Sequence, residues 1–196
     1  LASREDWGQR SKNAVKDMQG IERQYPNWGY GGHFFYWIFS DDSQPYGSYG
    51  NGSAMRISPV GFAADSIEQE KVLSQAVTEV SHDHPEGLKG AEAVAVAIFL
   101  ARNGSSRQEI RDYIDKHYYP MDFTLDKIRE DYSFDVTCQG SVPQAFQAFF
   151  ESQDFEDAIR NAISIGGDSD TIAAICGGLA EAYYGIPNPI RDQAMT

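Results

Sequence analysis

The longest apolar run in the chain covers residues 93–101 and is made only of Ala, Val, Ile, Phe and Leu. It is too short to span a bilayer, which requires about 20 such residues in a helix. Because alanine favours helix strongly, we predict a buried helix over 87–102. The rest of the fold must then supply partners for this helix.

Apolar residues recur at helical spacing in most of the remaining chain, and no convincing strand pattern is present. Residues 134–137 are too few to support a sheet. The interval 40–59 is predicted to be a long loop, and such loops are usually functional. Further helices are predicted over residues 1–24, 66–81, 110–117, 125–130, 143–152, 154–164 and 172–184, with a short one ending at residue 39.

The length and composition favour one globular domain over residues 1–196, with an all-α fold. Hydrophobic residues make up 41% of the chain, enough for a core, and the formal net charge is −13. That charge argues against nucleic acid or an anionic membrane as a main partner. It leaves a phosphate-bearing ligand open, because backbone N–H groups can hold phosphate. Cys138 and Cys176 lie in small or apolar surroundings, which predicts free thiols and a reducing, cytoplasmic compartment.

Two carboxylates and a hydroxyl follow a pair of glycines at residues 166–171, just where a helix of small residues begins. Asp168, Asp170 and Thr171 offer the oxygen donors that a hard cation such as Mg²⁺, Mn²⁺ or Ca²⁺ prefers. The alternative is helix capping, in which Asp168 is the N-cap residue. Capping requires one aspartate, so the second favours a metal site, and both interpretations remain open at this point.

A glycine-rich segment at 47–56 is a second candidate site. Its glycines allow close approach of the backbone to a ligand. Ser48 and Asn51 add hydrogen-bonding groups, and Tyr49 adds a stacking face. The alternative is a flexible turn, and no strand precedes the segment, which excludes a dinucleotide-binding Rossmann motif.

Two histidines lie between predicted helices at 81–87. Zinc ligation would require a further soft ligand that is lacking nearby. A cap at a helix end is the simpler interpretation, and a histidine that contacts a ligand is the more specific one. Cys138 has no evident base to activate it as a nucleophile, so we interpret it as structural.

Taken together, the segments 47–56, 81–90, 139–145 and 164–184 resemble, in order, the ADP-ribosylglycohydrolase family. The last is the most specific. The similarity covers about residues 25–185. It implies a single-domain orthogonal bundle of helices around a dinuclear Mg²⁺ or Mn²⁺ centre, and hydrolysis of the bond between ADP-ribose and a protein side chain or other acceptor.

The resemblance also implies roles for individual residues. The positions that match the metal ligands of the family are Asp168, Asp170 and Thr171. The positions that match its ADP-ribose loop are Ser48, Tyr49, Gly50, Asn51 and Gly52, with Met55 beside them. His82 matches a histidine that contacts the ligand. ADP-ribose or an ADP-ribosylated protein is therefore the expected partner.

The chain departs from the family pattern in one respect. The family opens with a glutamate and a Thr-Asp-Asp-Thr motif that supply a catalytic carboxylate and the other metal ligands, and neither is present, so the catalytic residue is unknown. Residues 39–43 resemble the motif only superficially. Three interpretations stay open: the C-terminal part of an active glycohydrolase, an inactive ADP-ribose-binding module, or a structural remnant.

The absence of those first segments leads to one more expectation. We expect apolar surface to be exposed at 93–100 or 172–182, where a partner chain would cover it.

Overall fold

The computed structural model describes residues 4–195, with side chains from residue 9 onward. Within that part of the chain there are helices and no sheet, which confirms the all-α prediction. Residues 1–3, where the first predicted helix begins, and residue 196 lie outside the described residues. The helices are α1 Arg4–Glu22, α2 Gly32–Phe39, α3 Gly52–Met55, α4 Ser58–Ala63, α5 Ile67–Thr78, α6 Pro85–Arg102, α7 Arg107–His117, α8 Leu125–Ile128, α9 Cys138–Phe150, α10 Phe155–Ser164, α11 Ser169–Tyr184 and α12 Asn188–Ala194.

Helix α6 is the centre of the fold, as its composition predicted. Its residues 93–98 are fully buried, and α3, α4, α5, α9 and α11 pack around it. Gly61 of α4 allows the closest approach, because a Cβ there would lie 2.7 Å from the Ala95 carbonyl oxygen. The expectation of exposed apolar surface on α6 is therefore wrong, since neighbouring helices of the same chain cover it.

The same holds for α11. Ile172, Ile175 and Leu179 are all fully buried, because α9 and α10 pack against α11. The segment 172–182 consequently offers no apolar face for a partner chain.

Helices α1 and α2 form a smaller cluster beside the main core. Trp37, Ile38 and Val80 are its buried members. The Trp37 indole donates to the Val80 carbonyl oxygen at 3.0 Å, which ties α2 to the end of α5.

The largest departures from the predicted elements are in the interval 40–59, at the start of α9 and at the end of the chain. The interval 40–59 contains α3 and the start of α4, so the irregular segment is shorter than predicted. Helix α9 begins at Cys138, because Thr137 caps it by accepting from the Gly140 amide at 3.1 Å. Pro143 is therefore inside the helix and not near its start. Helix α12 was not predicted.

Both cysteines are free and buried, as predicted. No helix within residues 4–195 combines the length and the hydropathy that crossing a membrane would require.

Helix α7 begins with a capping box that the sequence predicts. The Ser106 hydroxyl accepts from the Glu109 amide, and the Glu109 carboxylate accepts from the Ser106 amide at 2.7 Å. We expect Ser106→Ala to lower the free energy of unfolding by about 1 kcal/mol. Thr124→Ala is the matched control, because Thr124 caps α8 without a side-chain hydrogen bond. Urea denaturation of both variants tests this, and equal losses would contradict it.

Candidate functional site

The two candidate segments of the sequence meet at one hydrogen bond. The side-chain amide of Asn51 donates to Asp168 Oδ2 at 2.6 Å, although 117 residues separate the two in the sequence. The same amide donates to Ser141 Oγ at 2.8 Å. Asn51 and Asp168 are 7% and 8% exposed. The glycine-rich segment, the start of α9 and the start of α11 therefore form one site.

Asp168 occupies the N-cap position of α11, but its side chain makes no capping hydrogen bond. Capping thus accounts for the position of Asp168 at the start of α11, but it gives the Asp168 carboxylate no role. Burial raises the pKa of Asp168, the hydrogen bond from Asn51 opposes this, and neighbouring Asp170 raises it further. Two carboxylates are close together here, one of them buried, and a cation would offset their repulsion.

Thr171 completes the oxygen donors in the first turn of α11. It is 6% exposed, and its hydroxyl lies 3.6 Å from the Met55 sulfur, to which it donates. Asp170 is exposed. Met55 of α3 therefore lies beside the predicted metal ligands, as well as beside the glycine-rich segment.

The glycine-rich segment is held by the residues just before α9. Gly50 and Thr137 form an isolated antiparallel bridge. The backbone N–H of Asn51 donates to the Val136 carbonyl oxygen at 2.8 Å, and the backbone N–H of Cys138 donates to the Tyr49 carbonyl oxygen at 2.9 Å. Backbone hydrogen bonds therefore hold this segment on both sides of Gly50, which favours an ordered loop over a flexible turn.

His82 lies against the same segment. A Cβ added to Gly50 or Gly52 would be 3.6 or 3.8 Å from His82 Nε2, so the imidazole edge faces both glycines. The ring is 5% exposed. Burial, and then the nearby Arg56 charge, lower the pKa of His82 to about 3, so it is neutral near pH 7.

The other residues singled out by the sequence have structural roles. His84 caps α6, with Nδ1 accepting from the Glu86 amide at 3.1 Å, so the capping interpretation holds for this histidine. Cys138 is buried, and burial raises the pKa of its thiol to about 11, which suits a structural residue. Asp41 and Asp42 are in an exposed turn against α1.

The rim of the site contains exposed apolar side chains that sequence reasoning only partly found. Tyr49 and Met55 are 45% and 42% exposed, and Phe134 and Val136 are 68% and 52% exposed. The 134–137 segment is too short to form a sheet. Its bridge to Gly50 is a single residue pair, which leaves no periodic signal in the sequence.

The acidic residues of the candidate site do not by themselves form a metal-binding cluster. Among the side chains described, those of residues 9–195, no group of three or more His, Cys, Asp or Glu is arranged to hold a metal ion. Asp168, Asp170 and Thr171 are thus a partial set of hard donors.

Comparison with known proteins identifies the family. A family model described as ADP-ribosylglycohydrolase matches residues 2–194. The chain belongs to the ADP-ribosylglycohydrolase family. An uncharacterized protein of Archaeoglobus fulgidus is 33% identical over 69% of this chain and 50% of its own length. The human ADP-ribosylhydrolase ARH3 is 25% identical over 71% of this chain and 51% of its own. The chain therefore spans about half the length of these relatives.

A solved structure supports the fold. It is titled ADP-ribosylglycohydrolase-related protein complex, and it matches with a TM-score of 0.66 and 23% identity, covering 93% of this chain and 73% of that one. The all-α architecture of the family is thereby confirmed for the described part of the chain.

Proposed function

We propose that this chain is the ADP-ribose-binding part of a hydrolase that cleaves the bond between ADP-ribose and a protein side chain or another acceptor. The contact that carries the proposal is the 2.6 Å hydrogen bond from Asn51 to Asp168. It joins the expected ADP-ribose loop to the expected metal ligands. Membership of the family, and the printed name of the human relative, support the same class of reaction.

The glycine-rich segment would hold the diphosphate of the ligand through its backbone. Among residues 47–52, three backbone amides are already used inside the protein: that of Gly47 by Asp83 Oδ1 at 2.7 Å, that of Gly50 by Ser48 Oγ at 3.2 Å and that of Asn51 by Val136. The proposal therefore assigns the diphosphate to the amides of Ser48, Tyr49 and Gly52. The exposed Tyr49 ring would supply a stacking face for the base.

Asp168, Asp170 and Thr171 would hold one hard cation, Mg²⁺ or Mn²⁺. The donors fit such an ion in kind, because all are oxygens and two are carboxylates. A bound cation would supply positive charge near the ribose and would lower the pKa of a coordinated water. Asn51 would hold the Asp168 carboxylate in place. No residue of this chain is assigned as the catalytic carboxylate.

A second candidate function is ADP-ribose binding without hydrolysis. Among the side chains of residues 9–195, no third acid or histidine is arranged with Asp168 and Asp170 to hold a metal ion, which favours it. The two functions share the glycine-rich segment and differ in whether the acceptor bond is cleaved.

Titration calorimetry and a release assay separate these possibilities. We expect the chain to bind ADP-ribose, and Asp168→Asn to weaken binding at least tenfold in the presence of Mg²⁺, because a charged ligand of the cation is lost. The control is Asp112→Asn, an exposed residue of α7 whose described partner is Gln108. It should bind like the wild type.

The second assay measures ADP-ribose released from an ADP-ribosylated protein by this chain with Mg²⁺. Release supports the hydrolase, and binding without release supports the binding module. If the wild-type chain shows no ADP-ribose affinity with or without Mg²⁺, both are overturned.

A further inference from the structure

Arg56 is a partly buried cation beside the site. One guanidinium N–H donates to Ser81 Oγ at 2.7 Å. The guanidinium carbon lies 5.6 Å from the centre of the Phe34 ring. Within the described residues it forms no ion pair, and its Nε is buried without a hydrogen-bond partner. Burial lowers the pKa of Arg56 to about 10, so it remains charged at neutral pH.

Ser81 links this cation to His82. Its hydroxyl lies 2.9 Å from His82 Nδ1, and the residue is fully buried. Arginine can only donate, so the Ser81 oxygen accepts from Arg56. The remaining question is which of Ser81 and His82 supplies the hydrogen between them.

Burial answers that question. If Nδ1 carried the hydrogen, the Ser81 oxygen would accept twice and its own hydrogen would have no acceptor. A buried donor without a partner costs about 1–3 kcal/mol. If Ser81 donates to Nδ1, its hydroxyl hydrogen has an acceptor, and the Ser81 oxygen still accepts from Arg56. A neutral imidazole that accepts at Nδ1 carries its hydrogen on Nε2.

The Nε2 atom is the one that faces the glycine-rich segment. It lies 3.6 Å from the position of a Cβ on Gly50, and no described hydrogen bond within the protein uses it. Its N–H therefore points to the surface where the proposed ligand would lie, as a neutral donor.

We propose that Arg56 and Ser81 are positioning residues that fix the Nε2–H tautomer of His82 and so present one hydrogen-bond donor to the diphosphate or ribose of the ligand. The ligand part of this inference rests on the proposed function. The tautomer part concerns the free protein and can be measured without a ligand.

Nitrogen-15 NMR of the histidine rings tests the tautomer, because protonated and unprotonated ring nitrogens differ widely in chemical shift. A His82→Gln variant identifies the His82 signals. In the wild-type chain we expect Nδ1 unprotonated and Nε2 protonated. In Ser81→Ala and in Arg56→Met we expect a mixture of tautomers, and in Arg56→Lys, which keeps a donor, a return toward the wild type.

Ser74→Ala is the matched control. Ser74 is another buried serine, 1% exposed, whose hydroxyl has no hydrogen-bond partner. It should leave the His82 tautomer unchanged. Hydrogen on Nδ1 in the wild type, or an unchanged tautomer in both folded Ser81→Ala and folded Arg56→Met, would overturn the proposal.

Calorimetry with ADP-ribose gives the second readout. We expect Ser81→Ala to raise the dissociation constant about tenfold and Ser74→Ala to leave it unchanged. If the wild type has the Nε2–H tautomer but no affinity for ADP-ribose, the positioning by Arg56 and Ser81 stands and the proposed function fails. Unchanged affinity in a Ser81→Ala variant whose tautomer has shifted would overturn the ligand part of the inference.

Discussion

Replacing Glu70 by glutamine is expected to stabilise the protein by on the order of 2–4 kcal/mol at pH 8. Glu70 of α5 is fully buried, and neither of its carboxylate oxygens has a hydrogen-bond partner. Burial, and then the Glu92 charge, raise the pKa of Glu70 to about 8, with Lys71 opposing. An ionised Glu70 is therefore costly in the folded state, and the glutamine amide cannot ionise.

The same group makes stability depend on pH. The folded state keeps the Glu70 proton up to about pH 8, whereas an unfolded chain loses it near pH 4.3. Between these values the folded state binds more protons, so stability falls as pH rises, by at most about 1.4 kcal/mol per pH unit. Below this window the full contribution is present, and above it the loss is complete.

Urea denaturation from pH 5 to pH 8 measures both effects. Wild-type stability should fall most clearly above about pH 6.5, because below that pH the lowered pKa of His82 makes stability rise with pH and offsets part of the fall. The fall should be mostly absent in Glu70→Gln. Glu68→Gln, an exposed glutamate of the same helix, is the control and should follow the wild type. A Glu70→Gln variant that loses stability with pH as steeply as the wild type would rule out Glu70 as the cause.

Local sequence patterns predicted those features of the fold that depend on residues close together in the sequence. The capping box of Ser106 and Glu109 sets the start of α7, and the alanine-rich run sets α6. Boundaries failed where two local signals competed, as in α9. Pro143 suggested a helix start, but Thr137 supplies a capping hydroxyl earlier in the chain.

The site was predicted in its parts and not in its connections. Family resemblance singled out Asn51 and Asp168, while their hydrogen bond depends on how α3 and α11 pack. Arg56 was passed over because its partner Ser81 is 25 residues away and no spacing rule joins them. The expectation of exposed apolar surface at 172–182 failed for the same reason. Hydrophobic periodicity shows that one face of a helix is apolar, but it does not show which other helix covers that face.

Gly87→Ala should damage the site most directly. Gly87 is in the first turn of α6, and a Cβ there would lie 2.6 Å from the Ser48 carbonyl oxygen and 3.4 Å from the Tyr49 Cα. The clash is with backbone, so the glycine-rich segment must move. We expect a loss of about 1–3 kcal/mol in stability and at least a tenfold loss in ADP-ribose affinity, because the amides of Tyr49 and Gly52 would shift.

Gly20→Ala separates this clash from the general effect of glycine in a helix. Gly20 is inside α1, and an added Cβ would meet nothing within 4 Å. Alanine there should stabilise the protein by about 0.5–1 kcal/mol and leave ADP-ribose affinity unchanged. Alanine at 87 also has a more favourable helix propensity than glycine. A net loss of stability in Gly87→Ala would therefore come from the contact between the added Cβ and the glycine-rich segment. If Gly87→Ala gains stability as Gly20→Ala does and binds ADP-ribose normally, α6 does not set the position of the glycine-rich segment.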